Sequence, residues 1–488
     1  MIPAPDNPPR VVLPDIPAMV LNARNAFILN EDGEITEIPI ERAKTLFHKK
    51  PVLVCHAPYI RGRLGTDADF FAYDVLELFA FVHPARFATP TLNGLCKVLG
   101  IIEPESMEDA AFSLMQITRA LLSDLQNDTH KAKADPLEIA RVMGLNGRGW
   151  VWTPFIFHAL GQDYDPVIPV NSKTGFNVWK HLPEWSENPP PPPPSHHPVT
   201  ADEVLERLAR LRGHNAEERK SQEEYAQAIS YIFTPPSPAP QGEHISHPNI
   251  TLAEAGTGVG KTLGYLAPAS VWAEKNEGSV WVSTYTKNLQ RQIDQELDRL
   301  YPNPVIKAAH TATRKGRENY LCLLNLEEAA NGAALAKHVD AAIAAGIMAR
   351  WVAASKDGDL TGGEYPGWLT HILGYQNSMG LADRRGECVY SACDHYSKCF
   401  VERSIRAAQS ARIVVANHAL VMINAAMAGA DDDMPTRYIF DEGHHLFDAA
   451  DSAYAAHLTA RETRDLRRWI LGHEGGRRAS RARGLKRR

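Results

Sequence analysis

Between residues 200 and 450 the apolar positions change period several times, and each change predicts an element. Val204, Leu205, Leu208 and Leu211 recur at helical spacing after Thr200, a residue suited to cap a helix N-terminus. Residues 249–254 then read as a strand, 261–275 as a helix, 279–284 as a strand and 289–300 as a helix. Short apolar strands return at 413–416 and 438–440. Strands alternating with helices in this way indicate an α/β fold with a parallel, doubly wound sheet. Earlier in the chain, residues 51–56 are strand-like and 108–125 helical, which predicts a separate α/β domain over residues 1–185.

Proline divides these regions. The unbroken run from Pro189 to Pro194 favours extended polyproline II and cannot join a packed core, so residues 186–200 read as a semi-rigid linker. A second cluster, Pro235, Pro236, Pro238 and Pro240, marks a loop ahead of the strand at 249–254. The alternating pattern occupies residues 201–309 and 411–450. Residues 310–410 interrupt it and read as an insertion that carries clustered cysteines.

A length of 488 residues suits about three domains. The formal charge of -6 gives no global basicity, so any nucleic-acid binding must come from local patches. No apolar run is long enough for a membrane span, and the proline-rich start lacks a signal-peptide core. The expected compartment is the cytoplasm, where disulfides are disfavoured. That expectation turns the 6 cysteines towards other chemistry.

Ala255-Gly256-Thr257-Gly258-Val259-Gly260-Lys261-Thr262 lies between the strand at 249–254 and the helix at 261–275. Glycines let consecutive backbone N–H groups turn inward around phosphate oxygens, helped by the positive end of the helix. Lys261 would contact the β- and γ-phosphates of ATP, and the Thr262 hydroxyl would ligate Mg²⁺. Ala255 stands where the strict pattern has glycine. Downstream, the strand at 438–440 runs into Asp441-Glu442-Gly443-His444-His445. Carboxylates at the C-terminal end of a parallel strand sit where open α/β sheets bind ligands. Asp441 would hold Mg²⁺ and Glu442 would orient or deprotonate the attacking water. His444 and His445 are candidates for relaying nucleotide state, with metal ligation as the other reading.

Cys322 is followed at a distance by Cys388, Cys393 and Cys399. Four thiolates suit either tetrahedral Zn²⁺ or an iron–sulfur cluster. The spacings differ from the CxxC knuckles of structural zinc and favour [4Fe–4S]. Cys55 and Cys96 read as ordinary buried cysteines.

In chain order, Arg219 to Gln222, the loop at 255–262, the run Ser283-Thr284-Tyr285-Thr286-Lys287-Asn288-Leu289-Gln290-Arg291-Gln292, the four cysteines, Ala416-Asn417-His418-Ala419-Leu420 and residues 441–445 resemble the DinG/XPD-like iron–sulfur helicases of superfamily 2. The bacterial DinG branch is the closer match. Alanine at the position of Ala255 is common in that superfamily. The resemblance implies a RecA-like first motor half and ATP-driven 5′→3′ translocation on single-stranded or forked DNA, with a monomer favoured. It implies a [4Fe–4S] cluster on Cys322, Cys388, Cys393 and Cys399, and an adenine-reading motif that includes Arg219 and Gln222. Thr284, Thr286 and Lys287 would touch the backbone of the strand, a role that hydroxyls and a lysine can fill without reading sequence. Lys315, Arg317, Arg384 and Arg385 could line a DNA path beside the cysteines.

Residues 1–185 are similar to the DnaQ-type exonucleases, an RNase H-like fold whose chemistry needs four carboxylates around two metal ions. Residues 21–23 are Leu-Asn-Ala where an acidic motif is expected, and the segment after His56 lacks its aspartate. Asp74 and Asp109 remain. The domain therefore reads as a degenerate, non-catalytic copy, with an unrelated α/β domain as the alternative. Relatives of this kind continue well beyond the Asp-Glu-Gly-His-His box, whereas this sequence ends at Arg488 in a basic stretch. Residues 451–488 thus read as the start of a second insertion, and the motor as truncated. The competing functional reading is a non-motor nucleic-acid-binding iron–sulfur or zinc protein with a vestigial ATPase.

Overall fold

A computed structural model describes residues 11–65, 69–168, 175–187, 189, 191–213, 219–235, 248–336, 338–383, 387–428, 435–456, 458–471 and 485. The loop prolines at 236, 238 and 240, Arg384, Arg385 and nearly all of the basic tail lie outside these residues. The chain forms two compact units, Met1–Pro189 with Gly316–Arg406, and Pro190–Lys315 with Ala407–Arg488. Both are α/β. Among the described residues no helix is long and apolar enough to cross a membrane.

The first unit is built on a mixed sheet of five strands: β1 (Ala18–Leu21), β2 (Asn25–Leu29), β3 (Ile35–Pro39), β4 (Pro51–Val54) and β5 (Phe71–Asp74). Their order is β3-β2-β1-β4-β5; β1 to β3 form an antiparallel meander, and β4 and β5 run parallel to β1. Alternation at period two divides the side chains between two cores. Val20 and Leu53 enter the larger core with the helices Val75–Val82 and Met107–Asp124. Met19, Val52 and Val54 enter a smaller one with Ala57, Ile60 and Leu64.

The segment Gly316–Arg406, expected as an insertion in the nucleotide-binding domain, packs into this same larger core. Its helix Val339–Ala354 is buried over most of its surface and carries Arg350, which is 0% exposed. The guanidinium donates to Asp128 at 2.7 Å, to the carbonyl of Ala134 at 2.8 Å and to that of Phe81 at 3.0 Å. A charge that far from water persists only when it is paired and hydrogen-bonded. These bonds therefore fix the helix to residues some 220 positions earlier in the chain.

The second unit holds a parallel sheet of order β7-β8-β6-β9, formed by β6 (Val280–Thr284), β7 (Thr311–Thr313), β8 (Ile413–Asn417) and β9 (Tyr438–Phe440). Val280, Val282, Ile413 and Val415 face the helices Ala201–Arg212, Lys220–Ser230, Lys261–Asn276 and Lys287–Leu300. Trp281, Val414 and Ala416 face the opposite side with Val421. Thr200 is the N-cap that the sequence suggests, and it closes a capping box with Glu203. Two expectations differ from this arrangement. Residues 249–254 lie in no ladder, and Leu252 is 96% exposed; apolar periodicity reports side chains, whereas a strand also needs a neighbour to bond. Residues 311–313, placed by sequence in the insertion, form β7 of this sheet.

Replacement of Arg350 by Ala leaves Asp128, itself 3% exposed, as an unpaired buried charge. The variant should lose about 3–5 kcal/mol of stability in the first unit, read as a lower urea midpoint. An unchanged midpoint would show that the pair holds nothing.

Candidate nucleotide-binding site

Residues 255–260 turn into the helix Lys261–Asn276 through two glycines in the left-handed region, Gly258 at φ +84° and Gly260 at φ +83°. Gly260 is the N-cap and offers no side chain to the first amides of the helix. Those N–H groups are left for an external acceptor, which suits a phosphate. The loop is held from behind. Gln222, 3% exposed, donates through Nε2 to the carbonyl of Gly260 at 2.8 Å, and Arg219 donates to that of Gly258 at 2.9 Å. A Cβ on Gly260 would meet Gln222 Nε2 at 2.2 Å. Arg219 and Gln222, expected near an adenine, thus engage the backbone of the phosphate loop. Gly256, Thr257 and Gly258 are exposed, with Ala255, Val259, Lys261 and Thr262 half-buried.

The carboxylates arrive at the same place from the sheet. Asp441 N–H donates to Ser283 O at 2.8 Å, extending the β9–β6 pairing by one residue. Glu442 then adopts φ +55°, unusual for a residue other than glycine, and its Oε1 lies 3.8 Å from Lys261 Nζ. Burial raises the Asp441 carboxyl above its ordinary range and the charge of Glu442 adds to this, while Lys261 opposes both. Asp441 is thereby primed to gain from a cation. Two tyrosines adjoin it: burial, then the Asp441 charge, pushes Tyr225 up to about 12 and Tyr265 well above its usual value. Tyr265 also neighbours Thr262. Sequence reasoning missed Tyr265, although it stands one helical turn beyond Lys261. It also gave no role to His418, whose Nδ1 lies 2.8 Å from Ser283 Oγ and whose pKa is lowered by burial.

The residues expected to meet a nucleic acid differ in their surroundings. Thr284 is fully buried at the end of β6. Thr286 Oγ1 accepts from Leu289 N–H at 3.2 Å and caps the helix Lys287–Leu300; Lys287 itself is exposed. Lys315 is buried. His444 Nδ1 lies 3.6 Å from Glu442 Oε2.

In the first unit, Cys322, Cys388, Cys393 and Cys399 line one pocket together with Asp383, Tyr390 and His395. Burial pushes Cys322 up to about 11 and raises Cys393 and Cys399. Arg317 is committed there to Asp383 at 2.9 Å. Among the described residues no three His, Cys, Asp or Glu side chains are gathered to hold one metal ion. The [4Fe–4S] expectation therefore has a common pocket but no assembled ligand set. Cys96 is buried and Cys55 half-buried. Of the two carboxylates left from the nuclease pattern, Asp74 caps the helix Val75–Val82, whereas Asp109 lies in the first turn of a helix capped by Ser106. Asp74 accepts from the amides of His56, Ala57 and Leu76, and Asp109 closes on Ser106 at the start of the helix Met107–Asp124.

No family model matches the chain. It is 33% identical over 262 residues to the ATP-dependent helicase DinG of Mycobacterium tuberculosis, which covers 50% of this chain and 36% of that protein. Similarity to the ATP-dependent DNA helicase YoaA of Haemophilus influenzae is 34% over 236 residues, or 46% of this chain and 34% of the other. The 3'-5' exonuclease DinG of Bacillus subtilis is 30% identical over 219 residues, 43% of this chain and 22% of that protein. The chain spans about a third or less of the length of these relatives. They support a DinG-like helicase relationship.

Gly260→Ala should weaken binding of a fluorescent ATP analogue about tenfold or more, since it combines a left-handed backbone with a clash on Gln222. Unchanged affinity would mean that residues 255–262 do not hold the phosphates.

Proposed function

We propose that the second unit binds ATP with Mg²⁺ and hydrolyses it as part of a DNA helicase of the DinG type, acting on single-stranded or forked DNA. The observation that carries this reading is the meeting of Lys261 and Glu442 across 3.8 Å, with the free helix start on one side and the end of a parallel sheet on the other. Lys261 would move from Glu442 to the β- and γ-phosphates of ATP. Amides of residues 256–262 would bind phosphate oxygens, and Thr262 with Asp441 would hold Mg²⁺, which neutralises charge on the phosphates. Glu442, released from Lys261, would orient the attacking water and accept its proton. Thr286 and Lys287, shortly after β6, would meet a strand's phosphates, and 5′→3′ movement follows the family resemblance.

For the first unit we propose a [4Fe–4S] cluster on Cys322, Cys388, Cys393 and Cys399. Four thiols lining one pocket suit a group bound by all of them, and spacings unlike the CxxC knuckles of structural zinc favour the cluster. Iron and acid-labile sulfide in the purified protein would support this, and stoichiometric zinc would refute it. The N-terminal sheet, with β2 alone antiparallel to the others, supports the RNase H-like reading. The engagement of Asp74 by three backbone amides, and of Asp109 by Ser106, supports its being non-catalytic.

Glu442→Gln should reduce ATP hydrolysis by at least about a hundredfold while leaving ATP binding within a few-fold, because it removes the proton acceptor but keeps the shape. Hydrolysis at the rate of the unaltered chain would refute the assignment.

A further inference from the structure

Tyr285 lies flat against His445, with ring centroids 3.8 Å apart and planes inclined by 13°. The stack joins two segments of the second unit. His445 ends the short turn Gly443–His445, and its amide donates to the carbonyl of Glu442 at 3.0 Å. Glu442 in turn faces Lys261. On the other side, Tyr285 directly precedes Thr286, the cap of the helix Lys287–Leu300. Tyr285 is 47% exposed, so the ring is not there to fill a core. A stacked ring pair contributes beyond the area it buries, so a shift of the turn at His445 that separates the rings is opposed by Tyr285.

The turn beyond Glu442 also has reason to move. Lys261 Nζ lies 3.8 Å from Glu442, and Glu442 sits at φ +55°, a backbone state that persists only while its surroundings enforce it. Phosphate competing for Lys261 removes one of those constraints. We infer that Tyr285 is a positioning residue that carries the state of the nucleotide site, through His445, to the helix start at Thr286 and Lys287. The inference rests on the proposed ATP and DNA functions and adds the residue that couples them. Coupling of this kind is reciprocal: nucleotide changes DNA affinity by the factor by which DNA changes nucleotide affinity.

The test uses the full chain, a fluorescent oligothymidylate and a non-hydrolysable ATP analogue with Mg²⁺. DNA affinity is measured with and without the analogue for the unaltered protein, Tyr285→Ala and Tyr285→Phe. The expected result is that Tyr285→Ala keeps its nucleotide-free DNA affinity and its analogue affinity. The analogue's effect on DNA binding should shrink by roughly three- to tenfold, with the ring-preserving Tyr285→Phe restoring it. A nucleotide effect that survives Tyr285→Ala overturns this inference alone. A loss shared equally by Tyr285→Phe overturns it too, since the stack would then be irrelevant. An unaltered chain that binds neither nucleotide nor DNA overturns the proposed function, and the inference with it.

Discussion

The pairing of β6 on both edges is the constraint on which the second unit depends. Val280–Thr284 bonds β8 on one side and β9 on the other, all in parallel. Parallel pairing places every strand's C-terminal end on one edge, which is where the chemistry collects. Ser283 shows how tightly this is drawn. Its carbonyl receives the amide of Asp441, and its hydroxyl meets His418, which follows β8. One residue of the central strand thus fixes the ends of both its neighbours. A slip of β9 by one residue would turn Tyr438 and Phe440 to the opposite face and carry Asp441 and Glu442 away from Lys261.

Charge and burial then act against one another at that edge. Desolvation and the neighbouring carboxylate both disfavour an ionised Asp441, whereas Lys261 favours it. The tyrosines at 225 and 265 share the same buried surroundings and remain neutral phenols, able to donate without adding charge. Under the proposed function, a cation beside Asp441 and a phosphate taking over Lys261 would both relieve this opposition. Burial shapes the first unit differently. There Arg350 ties the helix Val339–Ala354 to Phe81, Asp128 and Ala134, so the segment bearing the cysteines shares one core with the N-terminal sheet.

Much of this was legible in the sequence because it is local. The Thr200 cap, the helix starting at Lys261 and the strand 438–440 depend on neighbours a few residues away. The nearness of residues 255–262 to the acidic box could be anticipated because both stretches carry particular residues at fixed spacing, and Lys261 and Glu442 do meet. What escaped was set by distant partners. Residues 249–254 have the side chains of a strand but lie in no ladder. Gln222 was assigned to a ligand, yet its amide holds Gly260 across 38 residues. The membership of Gly316–Arg406 in the first unit depends on a buried arginine whose partners are 200 and more residues away, which no window along the chain can reveal.

ATP hydrolysis by the second unit would require a phosphate site assembled from residues 255–262 and completed by Asp441. Calorimetric titration of the full chain with a non-hydrolysable ATP analogue, with and without Mg²⁺, tests it most directly. One nucleotide per chain should bind, with affinity that falls when Mg²⁺ is chelated and again in Asp441→Asn. Failure to bind nucleotide, or binding indifferent to both Mg²⁺ and Asp441, would contradict it.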